Sequence, residues 1–143
     1  MPLPHDLEAA FPGLATGYEQ TSEQEPNYNC IAHAIGDIDT WWEPVRGRYW
    51  PARIPRDRSL IALQAALRTV GYAPCDSGGL EEGIEKVALF VSQEGEYKHV
   101  ARQLTDGAWT SKIGRNEDIR HELQQLEGDE FGTVVAFMSR VRR

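Results

Sequence analysis

Apolar residues recur at helical spacing in one segment of the chain, residues 57–70. A single apolar face would be formed by Leu60, Leu63, Leu67 and Val70. Because a helix turns once in about 3.6 residues and glycine commonly ends it, the pattern predicts a helix that stops before Gly71. A shorter apolar run after Asn29 predicts a second helix over residues 29–35, ended by Gly36.

The second half of the chain has the period of strands. Strands are predicted over residues 84–91, 97–104, 108–112 and 133–139, with hairpin turns at 93–96 and 105–107. A helix is predicted from Asn116 or Glu117 to Leu126. Helices followed by a meander indicate an α+β fold, with N-terminal helices packed on an antiparallel sheet of about four strands.

The remaining segments are predicted to be largely irregular. Residues 1–26, rich in Pro, Gly, Glu and Gln, form an N-terminal extension with a short helix around Leu7 to Phe11, and 27–143 form the single domain. Three of the four tryptophans lie in an irregular loop between Trp41 and Trp50. Residues 74–79 are predicted to be a turn or loop.

The composition of the chain restricts the classes of function that it could have. A length of 143 residues suits one domain with a real core, and the net charge of -7 disfavours nucleic-acid binding. No apolar run approaches the roughly 20 residues that cross a bilayer. The N-terminus lacks a signal peptide, so we expect a cytoplasmic protein, with secretion by a signal-less route left open. Two cysteines are too few for a disulfide scaffold.

Cys30 is the first candidate for chemistry. It follows Asn29 at the start of the predicted helix, where unpaired N–H groups and the helix dipole would lower the pKa of its thiol. A thiolate is the nucleophilic form of cysteine. The alternative is a small buried side chain, the commonest state of a free cysteine.

His99 is the candidate base, because a thiol nucleophile needs one and a strand holds it rigidly. By strand alternation His99 shares a face with Ala101 and Gln103. A third group should orient its imidazole. Ser111 would lie opposite across the hairpin, whereas Asp118 is the better chemical partner, and the sequence leaves both open.

Other residues could line the cleft or bind a metal. Substrate-binding candidates are Asn29, His33, Trp41, Trp42 and Trp50, although packing in the core is the alternative for the aromatic residues. Zinc ligands could come from Cys30, His33, His99 and His121. Their spacing matches no zinc motif, so we expect no metal and no other cofactor.

Several segments resemble a family of small, largely uncharacterised bacterial proteins. The shared motifs are Tyr28-Asn29-Cys30-Ile31-Ala32, Trp41-Trp42 with Pro44, Tyr49-Trp50-Pro51, His99-Val100-Ala101-Arg102-Gln103-Leu104, Gly107-Ala108-Trp109-Thr110-Ser111-Lys112 and Asp118-Ile119-Arg120-His121. More remotely, a helix-borne cysteine followed by a strand-borne histidine resembles the papain-like superfamily, including its NlpC/P60 and transglutaminase-like branches. That resemblance implies a papain-like fold with Cys30 and His99 as catalytic residues.

The sequence therefore predicts a cysteine-dependent hydrolase or acyltransferase, of amidase, peptidase, deamidase or transglutaminase type. Its substrate would be a peptide or protein, and a partner protein could complete the site. The alternative is a non-enzymatic binding module that uses the tryptophan loop. Alkylation separates the two: an enzyme should show Cys30 reacting faster than Cys75, with a lowered pKa that depends on His99, and a binding module should not.

Overall fold

One antiparallel sheet dominates the computed structural model, which describes residues 5–22, 27–113 and 117–142. Within these residues the strands are β1 (Glu19–Gln20), β2 (Ala73–Cys75), β3 (Ile84–Val91), β4 (Tyr97–Gln103), β5 (Trp109–Lys112), β6 (Asp118–His121) and β7 (Thr133–Val141). They lie in the order β1-β6-β5-β4-β3-β7-β2, and all neighbours are antiparallel. The two edge strands of this sheet are its shortest.

The helices are short, and two of them start at a capping side chain. They are α1 (His5–Ala10), α2 (Cys30–Ile35) and α3 (Leu60–Arg68), with 3₁₀-helices at Pro12–Thr16 and Leu123–Leu126. The side chains of Asn29 and Ser59 cap α2 and α3 by accepting hydrogen bonds from backbone N–H groups. Gly36 ends α2 in the left-handed conformation at φ 86°, which glycine adopts without strain.

The sheet buries both of its faces. One cluster joins Val87, Leu89 and Val100 to the apolar sides of α2 and α3. A second cluster joins Ala88, Phe90 and Ala101 to residues of the N-terminal and late 3₁₀-helices. Since neighbouring residues of a strand point to opposite faces, these two clusters lie on the two sides of β3 and β4.

The prediction of helices packed on about four strands was wrong. Seven strands pair in the described residues, and the sheet, not the helical layer, is the main element. The papain-like fold expected from the remote resemblance is overturned with it. Two of the missed strands, β1 and β2, have only two and three residues, too few for an alternation to show in the sequence.

The predicted helix ending at Leu126 was also wrong. Residues 118–121 form β6, which pairs along its whole length with β5, and only 123–126 turn as a 3₁₀-helix. Asn116 lies outside the described residues. Tertiary pairing with a neighbouring strand has outweighed local helical preference here. Residues 74–75, expected in a turn, belong to β2.

Other elements were predicted correctly. Strand β3 has the predicted bounds, and β4, β5 and β7 lie within two residues of theirs. The helices α2 and α3 occupy the predicted segments, α3 beginning at Leu60 after its cap. The longest described helix has nine residues, so none of the described helices could cross a bilayer.

The turn before β7 depends on a glycine. Gly132 has φ 76°, and a Cβ atom there would lie 2.0 Å from the carbonyl oxygen of Val91. Gly95, in the β3–β4 turn, has a similar φ of 87° but open space around it. A comparison of alanine variants at the two glycines therefore distinguishes the effect of backbone strain from that of a direct clash.

We predict that Gly132→Ala destabilises the protein more than Gly95→Ala. Both should lose about 1–2 kcal/mol through the left-handed backbone, and only Gly132→Ala should lose about 1–3 kcal/mol more, because β3 must move. Urea unfolding of the two variants measures the difference. Equal losses would show that the close approach of Gly132 to β3 is unimportant.

Candidate functional site

Cys30 and His99 line one pocket of about 200 Å³ at the start of α2 and β4. The other residues around it are Asn29, Ile31, Trp41, Glu43, Arg58, Tyr97, Lys98 and Phe131. The two side chains enter from different layers: Cys30 packs against the cluster on the helical side, while the His99 ring contacts aromatic rings of the second cluster.

Asn29 joins the start of α2 to the tryptophan loop. Its Oδ1 accepts hydrogen bonds from the backbone N–H groups of Ala32 and Trp42, each at 3.2 Å, and its Nδ2 donates to the carbonyl of Trp42. One side chain thus caps the helix and holds the loop beside it. This explains how the residue before Cys30 shapes the pocket.

The thiol of Cys30 is held in its protonated form. Burial raises the pKa of the Cys30 thiol to about 11, although the residue as a whole keeps intermediate exposure. Hydrogen bonds from the backbone N–H groups of Val100 and Ile31 lower this pKa by less. The expected lowering of the pKa was wrong, because α2 has only six residues and desolvation outweighs its N-terminal N–H groups.

His99 is a buried neutral imidazole. Its ring stacks on Phe131 with centroids 4.1 Å apart and planes 5° apart, and the ring of Phe90 meets it edge-on. Burial, chiefly, and then the neighbouring His121 and His33 hold the pKa of His99 well below its usual range. At neutral pH this side chain therefore carries no charge.

The two ring nitrogens of His99 differ in their partners. Nε2 lies 2.8 Å from Oγ of Ser111, which is itself fully buried. Nδ1 is buried and has no hydrogen-bond partner among the described residues, so the Cys30 sulfur does not bind it in this structure. The site thus contains a thiol and an imidazole on the wall of one pocket, and one nitrogen of that imidazole is buried without a hydrogen-bond partner among the described residues.

Ser111 also contacts a second histidine. Its Oγ lies 2.7 Å from Nε2 of His121, and Nδ1 of His121 lies 2.8 Å from the carbonyl oxygen of Glu122. Burial lowers the pKa of His121 to about 4, with the Glu122 carbonyl opposing that shift. A chain of hydrogen bonds therefore runs from His99 through Ser111 to His121.

Asp118 lies in a different group. Its Oδ2 accepts a hydrogen bond of 3.0 Å from the Tyr28 hydroxyl and lies 3.5 Å from Nδ1 of His33. His33 also contacts Thr110 at 3.1 Å, and burial lowers its pKa to about 4 against the opposing effect of Asp118. Of the two candidates for orienting His99, the geometry places Ser111 beside it and Asp118 beside His33.

The three tryptophans of the loop occupy different places. Trp41 lines the pocket, with its indole N–H donating to Glu43 at 2.8 Å. Trp42 and Trp50 are buried in the cluster on the helical side and are absent from the pocket wall. Of the candidate substrate-binding residues, Asn29 and Trp41 therefore reach the pocket, whereas His33, Trp42 and Trp50 do not.

Several residues of the site were missed from the sequence. Phe131 follows a Gly-Asp-Glu segment of the kind typical of solvated loops, and nothing local marks it as a partner of His99. Arg58 and Glu43 form an ion pair of 2.6 Å beside the pocket. His121 was predicted to lie in a helix. It lies instead on β6, which is separated from β4 by β5 alone because β6 pairs with β5.

Metal binding finds no support in the part of the chain described here. No group of three or more histidine, cysteine or carboxylate side chains converges there as a metal ion would require. His99 and His121 approach each other only through the hydroxyl of Ser111.

Comparison with known protein families gives a match over most of the chain. The model of a domain of unknown function (DUF7689) matches residues 19–139, which include both pocket-lining elements and the whole chain of hydrogen bonds. Nothing among the curated proteins or the solved structures matches the chain.

Buried neutral histidines make stability depend on pH. The pKa of His121 is about 4 in the folded protein and about 6.5 in an unfolded chain. Between these values only the unfolded chain binds the proton, so stability is complete above pH 6.5 and falls as the pH drops toward 4.

We predict that His121→Gln flattens this dependence by about 1.2 kcal/mol per pH unit between pH 6 and pH 5. Urea unfolding at pH 7, 6 and 5 measures the slope, and carboxylate titration is common to both proteins. Arg120→Gln, at the preceding and more exposed position of β6, should keep the wild-type slope. If His121→Gln kept it too, His121 would not be a depressed titrating group.

Proposed function

The chain belongs to the DUF7689 family, and from its own site we propose that it is a cysteine-dependent hydrolase or acyltransferase. Cys30 is the nucleophile and His99 is the general base. The observation that carries the proposal is the shared pocket, whose wall includes both Cys30 and His99, together with the buried His99 nitrogen Nδ1, which has no hydrogen-bond partner among the described residues. The substrate is an amide or ester of a peptide or protein.

The protonation states define the type of mechanism. A thiol with a pKa of about 11 and an imidazole with a lowered pKa form a neutral pair at pH 7. The thiol must then lose its proton during attack, as in general base catalysis, which typically contributes a factor of about 10²–10⁴. Bonds between such groups often form only when substrate is bound.

The steps balance without a cofactor. The Cys30 sulfur attacks the carbonyl carbon while its proton passes to Nδ1 of His99, and the C=O electron pair moves to oxygen. As the oxyanion collapses, the bond to the leaving nitrogen or oxygen breaks, and that atom takes the proton from Nδ1. Water or an amine then attacks the thioester, gives its proton to Nδ1, and the sulfur recovers that proton on release.

The surroundings of the pocket suit this chemistry. The backbone N–H groups of Ile31 and Val100 bind the sulfur and stabilise the negative charge that it gains as its proton leaves. The Trp41 ring and the Arg58–Glu43 pair form the outer wall, which offers apolar contact and charge to a peptide. The order of cysteine and histidine resembles papain-like thiol enzymes, and the proposal concerns that chemistry, not that fold.

A non-enzymatic binding module is the second candidate. The raised pKa of Cys30 favours it, because a protonated and partly buried thiol is also what a packed cysteine would be. In that case the pocket beside Trp41 would hold a partner segment without reaction. Acylation of the thiol distinguishes the two candidates.

We predict that p-nitrophenyl acetate acetylates Cys30 faster than Cys75 at pH 7, as detected by mass spectrometry. Because His99 must take the thiol proton, His99→Ala should slow acetylation of Cys30 by about 10²-fold or more and leave Cys75 unchanged. Cys75, also of intermediate exposure, is the internal control.

Two further variants complete the experiment. Cys30→Ser should abolish the fast acetylation, and Cys75→Ser should preserve it. Acetylation of Cys30 at the rate of Cys75, or at a rate indifferent to His99, would contradict the enzyme and leave the binding module.

A further inference from the structure

We propose that His121 is a positioning residue that fixes the tautomer of His99, acting through Ser111 and the carbonyl of Glu122. The fixed tautomer carries its proton on Nε2 and leaves Nδ1 bare. The benefit to catalysis rests on the proposed function, but the tautomer itself follows from the hydrogen bonds and from the neutral state of the two imidazoles.

The contact between His121 and Glu122 sets the donor and acceptor of every hydrogen bond in this series. Nδ1 of His121 lies 2.8 Å from the carbonyl oxygen of Glu122. A carbonyl oxygen accepts hydrogen bonds and cannot donate them, so Nδ1 of His121 must carry a proton. This contact is the one member of the chain whose donor is unambiguous.

The next member follows from the charge of His121. A neutral imidazole has one protonated nitrogen, so Nε2 of His121 is bare. Burial lowers the pKa of this residue to about 4, which keeps it neutral at pH 7. Nε2 therefore accepts, and the Ser111 hydroxyl donates to it over 2.7 Å.

The direction of the hydrogen bond between Ser111 and His99 follows because a hydroxyl has a single proton. Ser111 uses that proton on His121, so toward His99 its Oγ can only accept, over 2.8 Å. Nε2 of His99 must then be protonated, and since His99 is neutral, Nδ1 is bare. No described acceptor lies within hydrogen-bond distance of Nδ1, so no contact requires a proton on that nitrogen.

Strand pairing keeps the side chains of His99, Ser111 and His121 on the same side of the sheet. Gln103 pairs with Trp109, and Trp109 pairs with His121, across β4, β5 and β6. His99 and Ser111 lie at even spacing from the paired residues of their own strands, so all face one side of the sheet. Ser111 is fully buried, which leaves little room for water to compete for its hydroxyl.

Loss of the His121 imidazole should reverse the tautomer of His99. In His121→Phe the hydroxyl of Ser111 has no other described acceptor, so it should turn and donate to Nε2 of His99. The proton of His99 then moves to Nδ1, where it blocks acceptance of the thiol proton. We expect acetylation of Cys30 to fall about as far as in His99→Ala.

The experiment is NMR of the full chain labelled with ¹⁵N-histidine, in which long-range ¹H–¹⁵N correlations report the protonated ring nitrogen. In the wild type at pH 7 we expect Nε2–H for His99 and Nδ1–H for His121. His121→Phe should shift His99 to mainly Nδ1–H. Ser111→Ala, a smaller change that cuts the same chain, should give a mixture of the two tautomers.

Arg120→Gln is the matched control, because Arg120 precedes His121 on β6 and pairs with the exposed Asp106. It should leave the His99 tautomer unchanged. The proposal is overturned if wild-type His99 carries Nδ1–H, or if both His121→Phe and Ser111→Ala leave its tautomer unaltered. The Ser111→Ala result decides the matter if His121→Phe fails to fold.

The two proposals fail separately. The predicted tautomers with an inert Cys30 would support the positioning role and contradict the enzyme. A reactive Cys30 with Nδ1–H on His99 would contradict the positioning role alone.

Discussion

The pairing of β3 with β4 on one side and β7 on the other is the constraint from which the rest of the structure follows. Residues 87–90 of β3 are fully buried on both faces of the sheet. A strand buried on two sides requires two apolar layers, and the chain supplies them from different segments. The α2 and α3 helices cover one face, and the 3₁₀-helices with Phe131 cover the other.

This two-sided burial explains the composition of the site. α2 brings Cys30 to the helical side of β4, while alternation along β4 directs the His99 ring to the opposite side. Both residues line the pocket beside the start of β4, where the register of the β3–β4 ladder shifts between Phe90 and Val91. The pocket therefore lies at the irregular end of a ladder, next to the loop that carries Trp41.

Local patterns made part of this predictable. The α2 start and the β3 and β4 strands follow from capping and period-two alternation, which act over a few residues, whereas hairpin counting left Ser111 as one of two candidate partners of His99. The β6 strand and the position of Phe131 do not, because they depend on pairing and stacking between distant segments. His121 shows the consequence: assigned to a helix it would contact Asp118, but on a strand it contacts Ser111.

The pKa of Cys30 could not be predicted for a related reason. A helix start lowers a thiol pKa only while its N–H groups outweigh desolvation, and the degree of desolvation is a property of the whole fold. Here burial raises the pKa of the thiol and lowers those of His99 and His121, so these three groups are neutral at pH 7. In such a site the structure can control which atoms carry protons, although it does not control them through charges. A series of hydrogen bonds that ends on a backbone carbonyl fixes the positions of these protons, because a carbonyl oxygen can only accept.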